Sequence, residues 1–430
     1  MRAVPTPVRS LLFAALAALS ALGASADAQT AAKAPKDPAT AAVERCRLSN
    51  LAKERDCYAT VLDEQLARSG PAPALQLLDK LAAADPDVRR DGHFYAHRIG
   101  ISALRTPEDV GRVFAACTPA YQSGCYHGVI QSYFMAEQRK GGGVTTESSD
   151  ALCSDYRGTR ADLLFQCTHG LGHGLAILKK HELPEALTSC DLLSRGEERE
   201  MCYAGAFMET LVNALHPHEP PPAKKAKVTT AAAAIDHSAH GGHGAHRAHG
   251  SHGDATPAKA PFKALDPTDL HYPCSAVAEK YQVACYTIQT SAMLHHTRQD
   301  VGRTAAECAK APEKARSTCF LSLGRDVSSI ALGDNAKGVR LCDLSEAAYR
   351  PSCHRGVVES VVNMNANPSE GIPYCRAVMD PDSKRACYVA IGLQSMVLPE
   401  GEAKREQACR LAEAGYAEAC LARPVAAPGA

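Results

Sequence analysis

The sequence predicts an all-α fold, an α-solenoid of about ten two-helix repeats, most of them stapled by a local disulfide. The first observation is that its 18 cysteines fall into nine consecutive pairs, most of them with the second cysteine at position i+11 or i+12 of the first. The second is the period: the first cysteines of the last five pairs, at positions 274, 308, 342, 375 and 409, recur every ~34 residues, as in two-helix repeats. The predicted bridges are Cys46–Cys57, Cys117–Cys125, Cys153–Cys167, Cys190–Cys202, Cys274–Cys285, Cys308–Cys319, Cys342–Cys353, Cys375–Cys387 and Cys409–Cys420.

Disulfide geometry places a turn inside each pair. Two residues 11 apart on one straight helix lie about 16 Å apart, whereas bridged cysteines need Cα atoms within about 7 Å. Each unit should therefore have a helix A that ends at its first cysteine and a helix B that starts near its second. One helix A start is predicted at Thr106, as N-cap, with Pro107 in the first helical position.

The N-terminal segment 1–28 is typical of a secretory signal peptide. Arg2 and Arg9 precede an apolar run, and small residues follow that run up to Ala28. We therefore expect a secreted, periplasmic protein, whose compartment also favours disulfides. No other apolar run approaches the roughly 20 residues of a membrane span. The 47 basic and 47 acidic residues balance, so no nucleic-acid partner is predicted.

Two longer cysteine intervals define the domain organisation. The interval from Cys46 to Cys117 is about twice the period, which predicts a unit without a bridge whose helix B begins near Asp91. The interval from Cys190 to Cys274 is longer still, which predicts one unit plus a disordered His-rich insertion at 217–272. The remaining expectations are a flexible N-terminal segment (29–45), N-terminal repeats (46–216), C-terminal repeats (273–422) and a tail (423–430).

Helical hairpins joined by local disulfides resemble, in architecture, the secreted disulfide-stapled repeat proteins of the tetratricopeptide superfamily. The resemblance covers most of the chain after the signal peptide. It implies a binding scaffold with a peptide or protein partner in its groove. Architecture by itself does not determine function.

Histidines occupy matched positions on three successive B helices. Two helices have histidines both two and six residues after the second cysteine, or after Asp91 in the unit without a bridge, and the helix between them has only the first, with Gln131 at the second position. Residues four apart share one helix face, and equivalent positions of neighbouring repeats face one groove. Five neutral imidazoles suit copper or zinc, so we predict a metal site there. Its residues are His93, His97, His127, His169 and His173.

The stretch CTHGLGHG holds three glycines in a predicted helix, and each interior glycine lowers helix stability by about 1 kcal/mol relative to alanine. We interpret Gly170, Gly172 and Gly174, with Gly128 in the preceding unit, in two ways. They make room beside the histidines for a metal or substrate, or they let a neighbouring helix approach.

Residues near the histidines offer further chemistry. Gly170 stands where a zinc-peptidase HExxH helix has its general-base glutamate, which argues against a peptidase of that class. The candidate acid, base or supporting groups are Tyr95, Arg98, Gln131 and Glu209, with Met208 as a soft copper ligand.

The insertion carries a second histidine pattern. Six histidines recur every third residue among Gly, Ala and Ser, a composition that captures metal ions loosely. They are His237, His240, His243, His246, His249 and His252.

Three functions remain open at this point. The leading hypothesis is an exported metal-binding protein with a copper or zinc site, with or without a metal-dependent enzyme activity. The alternatives are a non-enzymatic periplasmic peptide- or protein-binding scaffold and a metal chaperone that acts through the His-rich loop.

Overall fold

The computed structural model describes residues 37–47, 51–139, 145–215 and 262–422. These residues form α-helices and three short 3₁₀ helices and contain no strand, so the predicted all-α class is confirmed. The predicted signal peptide, the loop histidines 237–252 and the tail 423–430 lie outside the described residues.

The helices before the insertion are α1 (Pro38–Cys46), α2 (Leu51–Ser69), α3 (Pro71–Ala84), α4 (Pro86–Arg90), α5 (Gly92–Ala103), α6 (Val110–Ala115), α7 (Gly124–Arg139), α8 (Thr146–Ser154), α9 (Ala161–Leu178), α10 (Leu183–Cys190) and α11 (Gly196–Leu215). Those after it are α12 (Glu279–Tyr286), α13 (Gln289–Thr297), α14 (Val301–Cys308), α15 (Glu313–Ala331), α16 (Asn335–Cys342), α17 (Arg350–Asn365), α18 (Ile372–Ala377), α19 (Pro381–Ser395), α20 (Gly401–Cys409) and α21 (Ala417–Leu421). The 3₁₀ helices are Pro107–Asp109, Ala347–Tyr349 and Pro368–Gly371.

All nine predicted disulfides are present, and no cysteine is free. Their Cα atoms lie 5.4 to 5.7 Å apart. Such a set of bridges indicates a chain that folds in an oxidising compartment. Among the described helices, none is both long enough and apolar enough to cross a membrane.

Seven of the nine bridges join two consecutive helices near the turn between them, whereas Cys117 and Cys274 lie in the turn itself. In the unit of α10 and α11, the first helix ends at Cys190 as predicted, and the second starts at Gly196 and reaches its own cysteine, Cys202, after almost two turns. Helix B thus begins earlier than the second cysteine, because a short turn is enough to reverse the chain. The predicted start at Thr106 and Pro107 is also found, as a 3₁₀ turn that leads into α6.

The longer second helices pack in chain order. α5 packs on α7, α7 on α9 and α9 on α11, and the series continues through α12 and α13 to α15, α17, α19 and α21. Two backbone hydrogen bonds link distant repeats: the N–H of Tyr121 donates to the carbonyl of Met364 at 2.9 Å, and that of Gln122 donates to Asn363. The row of repeats therefore curves far enough for the start of α7 to meet the end of α17.

The prediction of a flexible segment at 29–45 is wrong for its second half. Residues 38–46 form α1, which buries Ala39, Ala42 and Cys46 on one face and packs on α3. Alanine gives this segment its helix propensity. The bridge of Cys46 to Cys57 holds it in place, so α1 is the helix A of the first unit.

The predicted insertion at 217–272 is too long at its C-terminal end. Residues 262–272 pack on the repeats: Phe262 donates its N–H to the Glu182 carboxylate at 2.9 Å, and the ring Nδ1 of His271 pairs with the Tyr286 hydroxyl at 2.7 Å. Apolar side chains at Phe262, Leu265 and Leu270 lie against the core.

The unit that follows the insertion departs from the two-helix pattern. Turns occupy the place of its helix A before Cys274, and its second helix breaks at Thr287 and Ile288 into α12 and α13. The side chain of Gln289 donates to the backbone carbonyls of Leu270 and Tyr272 at 2.8 Å, so the turns are tied to the start of α13.

Removing one bridge should lower stability without unfolding the protein. Replacing Cys342 and Cys353 together by alanine opens a loop of 11 residues, and the entropy gained by the unfolded chain corresponds to about 2–3 kcal/mol. The free energy of unfolding, measured by urea denaturation, should fall by that amount. Peptide mapping without reduction should show the other eight bridges unchanged, and a re-paired cysteine elsewhere would contradict the local assignment.

Candidate metal centre

The structure brings the five predicted histidines of α5, α7 and α9 into one cluster. Ring centroids are 6.0 Å apart for His93 and His97, and 5.6 Å apart for His93 and His127. The ring of His127 lies 5.3 Å from that of His169 and 4.2 Å from that of His173, and the last two lie 5.0 Å apart. We call these five residues the histidine cluster.

Glycines determine how closely the helices of the cluster approach. A Cβ atom added at Gly128 would lie 2.0 Å from the carbonyl oxygen of His97, and one added at Gly205 would lie 2.0 Å from that of His169. Such distances are far inside van der Waals contact, so only glycine fits. The close-approach interpretation is therefore confirmed, and the backbones that carry the histidines touch the neighbouring helices.

The other interpretation of the glycines, room for a metal or substrate, is wrong for Gly170 and Gly174. A Cβ atom at Gly174 would meet the ring of Phe134 at 2.2 Å, and one at Gly170 would meet Ile130 at 3.2 Å. Apolar side chains of α7 fill the space that we expected to be open. The glycines position the histidines by allowing helix packing.

Three members of the cluster form its most compact part. One ring nitrogen from each of His127, His169 and His173 lies within 4.8 Å of the other two. The three residues are 3, 8 and 4% exposed, respectively. The Nε2 atoms of His169 and His173 are 3.2 Å apart. A tetrahedral ion 2.0–2.1 Å from each nitrogen separates its ligand nitrogens by about 3.3 Å, so this pair is already at the spacing an ion requires.

Glu209 of α11 supports the compact part from behind. Its Oε2 lies 3.0 Å from Nδ1 of His173, and both side chains are buried. When Nδ1–H donates to the carboxylate, the lone pair of Nε2 faces His169 and the ring orientation is held. Metal-binding histidines are typically oriented by such a carboxylate. The supporting role suggested for Glu209 therefore matches its position.

The structure gives the other candidate supporting residues no contact with the histidines comparable to that of Glu209. Arg98 pairs with Asp63 at 2.7 Å, and the hydroxyl of Tyr95 donates to the backbone of Arg55, so both are engaged in packing. Gln131 has a buried side-chain oxygen without a hydrogen-bond partner among the described residues. Met208 is partly buried against the core.

His127 is the most unusual member of the cluster. Its ring is buried, and neither Nδ1 nor Nε2 has a hydrogen-bond partner among the described residues. A buried polar atom without a partner destabilises a fold by about 1–3 kcal/mol. Such atoms are rare in folded proteins and call for an explanation, of which a bound ion is one.

Burial keeps His127 and His169 in the form that binds metals. It lowers the pKa of His127 well below its usual value, and the four neighbouring histidines lower it further. Burial, followed by the charge of His173, lowers the pKa of His169 to about 3. Both rings are therefore neutral near pH 7, and a neutral imidazole is the ligand form.

His93 is oriented by a turn that the sequence did not reveal. Its Nδ1 lies 2.8 Å from the carbonyl oxygen of Tyr121, so Nδ1–H donates to the backbone. Tyr121, Gln122 and Ser123 all have positive φ angles, 55, 52 and 61°. Non-glycine residues adopt this conformation at a cost of about 1–3 kcal/mol each, and it persists only where surrounding contacts hold it. Here the contacts are the hydrogen bonds to Met364 and Asn363.

Comparison with known proteins does not assign this chain to a family. No family model, no curated protein and no solved structure matches this chain. The resemblance to stapled tetratricopeptide-type proteins stays a prediction.

Replacing Glu209 by glutamine should weaken metal binding about 10–100-fold, because the amide is a poorer acceptor and releases the orientation of His173. A competition titration of zinc against a chromophoric chelator measures this. Glu197→Gln, on the exposed first turn of the same helix, is the matched control and should leave affinity unchanged. Equal affinities in the two variants would remove Glu209 from the site.

Proposed function

We propose that this protein is an exported, periplasmic metal-binding repeat protein that holds one copper or zinc ion at His127, His169 and His173. The observation that carries the proposal is the convergence of three buried imidazoles, one of which has no hydrogen-bond partner for either nitrogen among the described residues. Three histidine ligands suit both metals, and they leave a fourth position for water or another ligand.

The disulfides give this site its rigidity. A metal site binds selectively when its ligands are held within about 0.5 Å of their working positions. Here the ligands project from α7 and α9, and each of these helices is bridged to the preceding helix or turn of its unit at Cys125 and Cys167. A solenoid without bridges would have to obtain the same precision from packing alone.

The loop histidines have a supporting role in this proposal. Six imidazoles on a polar segment bind ions weakly, and tethering raises the local concentration of metal near the cluster. A protein whose only role is capture through the loop would lose all its metal with the loop histidines. The cluster should keep its ion in their absence.

Metal content of the full chain tests the proposal. The starting protein carries all six loop histidines (237, 240, 243, 246, 249 and 252) replaced by asparagine and is loaded with copper or zinc, then dialysed and analysed for metal. It should retain metal at a fixed ratio. The added pair His169→Ala and His173→Ala should remove the ion held at this position, with helicity by circular dichroism unchanged.

The control pair is His295→Ala and His296→Ala on α13, two histidines of the C-terminal repeats outside the cluster. This control should keep the metal. Equal retention after the His169 and His173 changes would sink the proposed site. No retention by the starting protein with either metal would leave a disulfide-stapled binding scaffold as the better function.

A further inference from the structure

We propose that the cluster holds a second metal ion, ligated by His93 and His97 and joined to the first by His127, whose imidazolate ring bridges the two. This inference rests on the proposed function, because it adds a second position to the same cluster. It is supported by a different observation, namely that both ring nitrogens of His127 lack a partner among the described residues and that the ring of His93 lies nearby.

Three rings of the cluster use one nitrogen for a hydrogen bond to the protein. His173 uses Nδ1 for Glu209, His93 uses Nδ1 for the carbonyl of Tyr121, and one nitrogen of His169 hydrogen-bonds to the backbone of Met201. Each of these rings is thus oriented through one nitrogen, the usual arrangement of a histidine that binds metal through the other.

His127 departs from that arrangement. A single ion would take one of its nitrogens and leave the other buried among apolar and histidine side chains without a partner. That second nitrogen would destabilise the site by about 1–3 kcal/mol. A second ion satisfies it, whereas no described residue does.

The ring of His93 lies at a suitable distance from the rings of both His127 and His97. An ion 2.0–2.1 Å from each nitrogen places the centroids of two ligand rings about 5–6 Å apart. The observed values are 5.6 Å for His93 and His127 and 6.0 Å for His93 and His97. His93 and His97 lie outside the group of three whose nitrogens are within 4.8 Å of one another, so the first ion does not use them.

Charge and protons balance in this arrangement. A neutral imidazole carries one N–H, so the bridging ring gives that proton to solvent when the second ion binds and becomes a singly negative imidazolate. Its charge and that of the Glu209 carboxylate partly offset two divalent ions. The ions would be about 6 Å apart, given the ring width and two metal–nitrogen bonds.

Copper(II) is the probe for the test, used on the full chain with the loop histidines replaced by asparagine. We expect two retained copper ions per chain and a largely suppressed electron paramagnetic resonance signal, because an imidazolate bridge couples the two spins antiferromagnetically. The variant His93→Ala with His97→Ala should retain one copper ion with the full signal of one isolated spin. His93→Asn, at a half-buried position, provides a milder change with the same expected outcome.

The outcomes separate this inference from the proposed function. One copper ion with a full signal in the unmodified cluster would overturn the second site and leave the proposed function intact. Two ions with uncoupled signals would overturn the bridge. No copper in either the unmodified cluster or the His93 and His97 variant would overturn the second site, and if zinc is not retained either, the proposed function fails as well.

Discussion

Replacing Gly172 by alanine is expected to lower the free energy of unfolding by about 3 kcal/mol and to weaken metal binding at the same time. The added Cβ would lie 2.0 Å from the carbonyl oxygen of Cys202 and 2.7 Å from the backbone nitrogen of Ala206. Both atoms belong to the backbone of α11, so no side-chain rotation relieves the contact. Overpacking of this kind exceeds the gain of about 1 kcal/mol in helix propensity.

The metal readout follows from the same displacement. Gly172 lies on α9 beside His173, and the backbone it touches is that of α11, which carries Glu209. Moving the two helices apart lengthens the 3.0 Å contact of His173 with Glu209. Loss of that support should reduce zinc affinity about 10-fold or more in the competition titration.

Gly111→Ala is the matched control, since it also replaces a helical glycine. Nothing lies within 4 Å of a Cβ added there, so the variant should be more stable by about 0.5–1 kcal/mol, with unchanged metal affinity. Urea denaturation of both variants makes the comparison. A Gly172→Ala protein as stable as the Gly111→Ala protein would show that α9 and α11 do not pack backbone to backbone.

The parts of this structure that were predictable from sequence are those that depend on short-range spacing. The bridge of Cys190 to Cys202 follows from their separation of 12 in the sequence, since a local covalent link needs no knowledge of distant packing. The approach of His127 to His169 follows from repeat register alone, because equivalent positions of neighbouring repeats face the same side.

Other features depend on contacts that the sequence does not announce. The burial of α1 depends on its packing against α3. The position of residues 262–272 depends on Glu182, which is distant in the sequence, and on Tyr286 of α12. The left-handed turn at Tyr121 contains no glycine to signal it, and the hydrogen bonds that hold it come from Met364 and Asn363.

The glycines show how one sequence pattern can fit two structural explanations. Close helix packing is the correct one at Gly172, whereas the open space expected at Gly174 is taken by Phe134. A glycine removes a side chain from its own helix, and what occupies the space is decided by the neighbouring helix. The residues around a glycine do not identify that neighbour.

Acid is expected to destabilise the chelator-treated protein strongly below about pH 6.5, because two buried histidines resist protonation. In the unfolded chain His127 and His169 have an ordinary pKa near 6.5, whereas in the folded protein the pKa of His169 falls to about 3 and that of His127 is also lowered. Below pH 6.5 the unfolded state therefore binds protons that the folded state does not, and the free energy of unfolding falls as pH falls.

The slope is at most about 1.4 kcal/mol per pH unit for each histidine, so the two together should remove up to about 5 kcal/mol between pH 6.5 and pH 4.5. Urea denaturation at pH 7.5, 6, 5 and 4.5 measures it. His127→Gln replaces one titrating ring by a neutral amide and should remove about half of the slope, whereas His295→Gln on α13 should leave it unchanged. An unaltered slope in His127→Gln would mean that His127 takes up its proton at the same pH in the folded and unfolded states, which would contradict the lowered pKa that its burial implies.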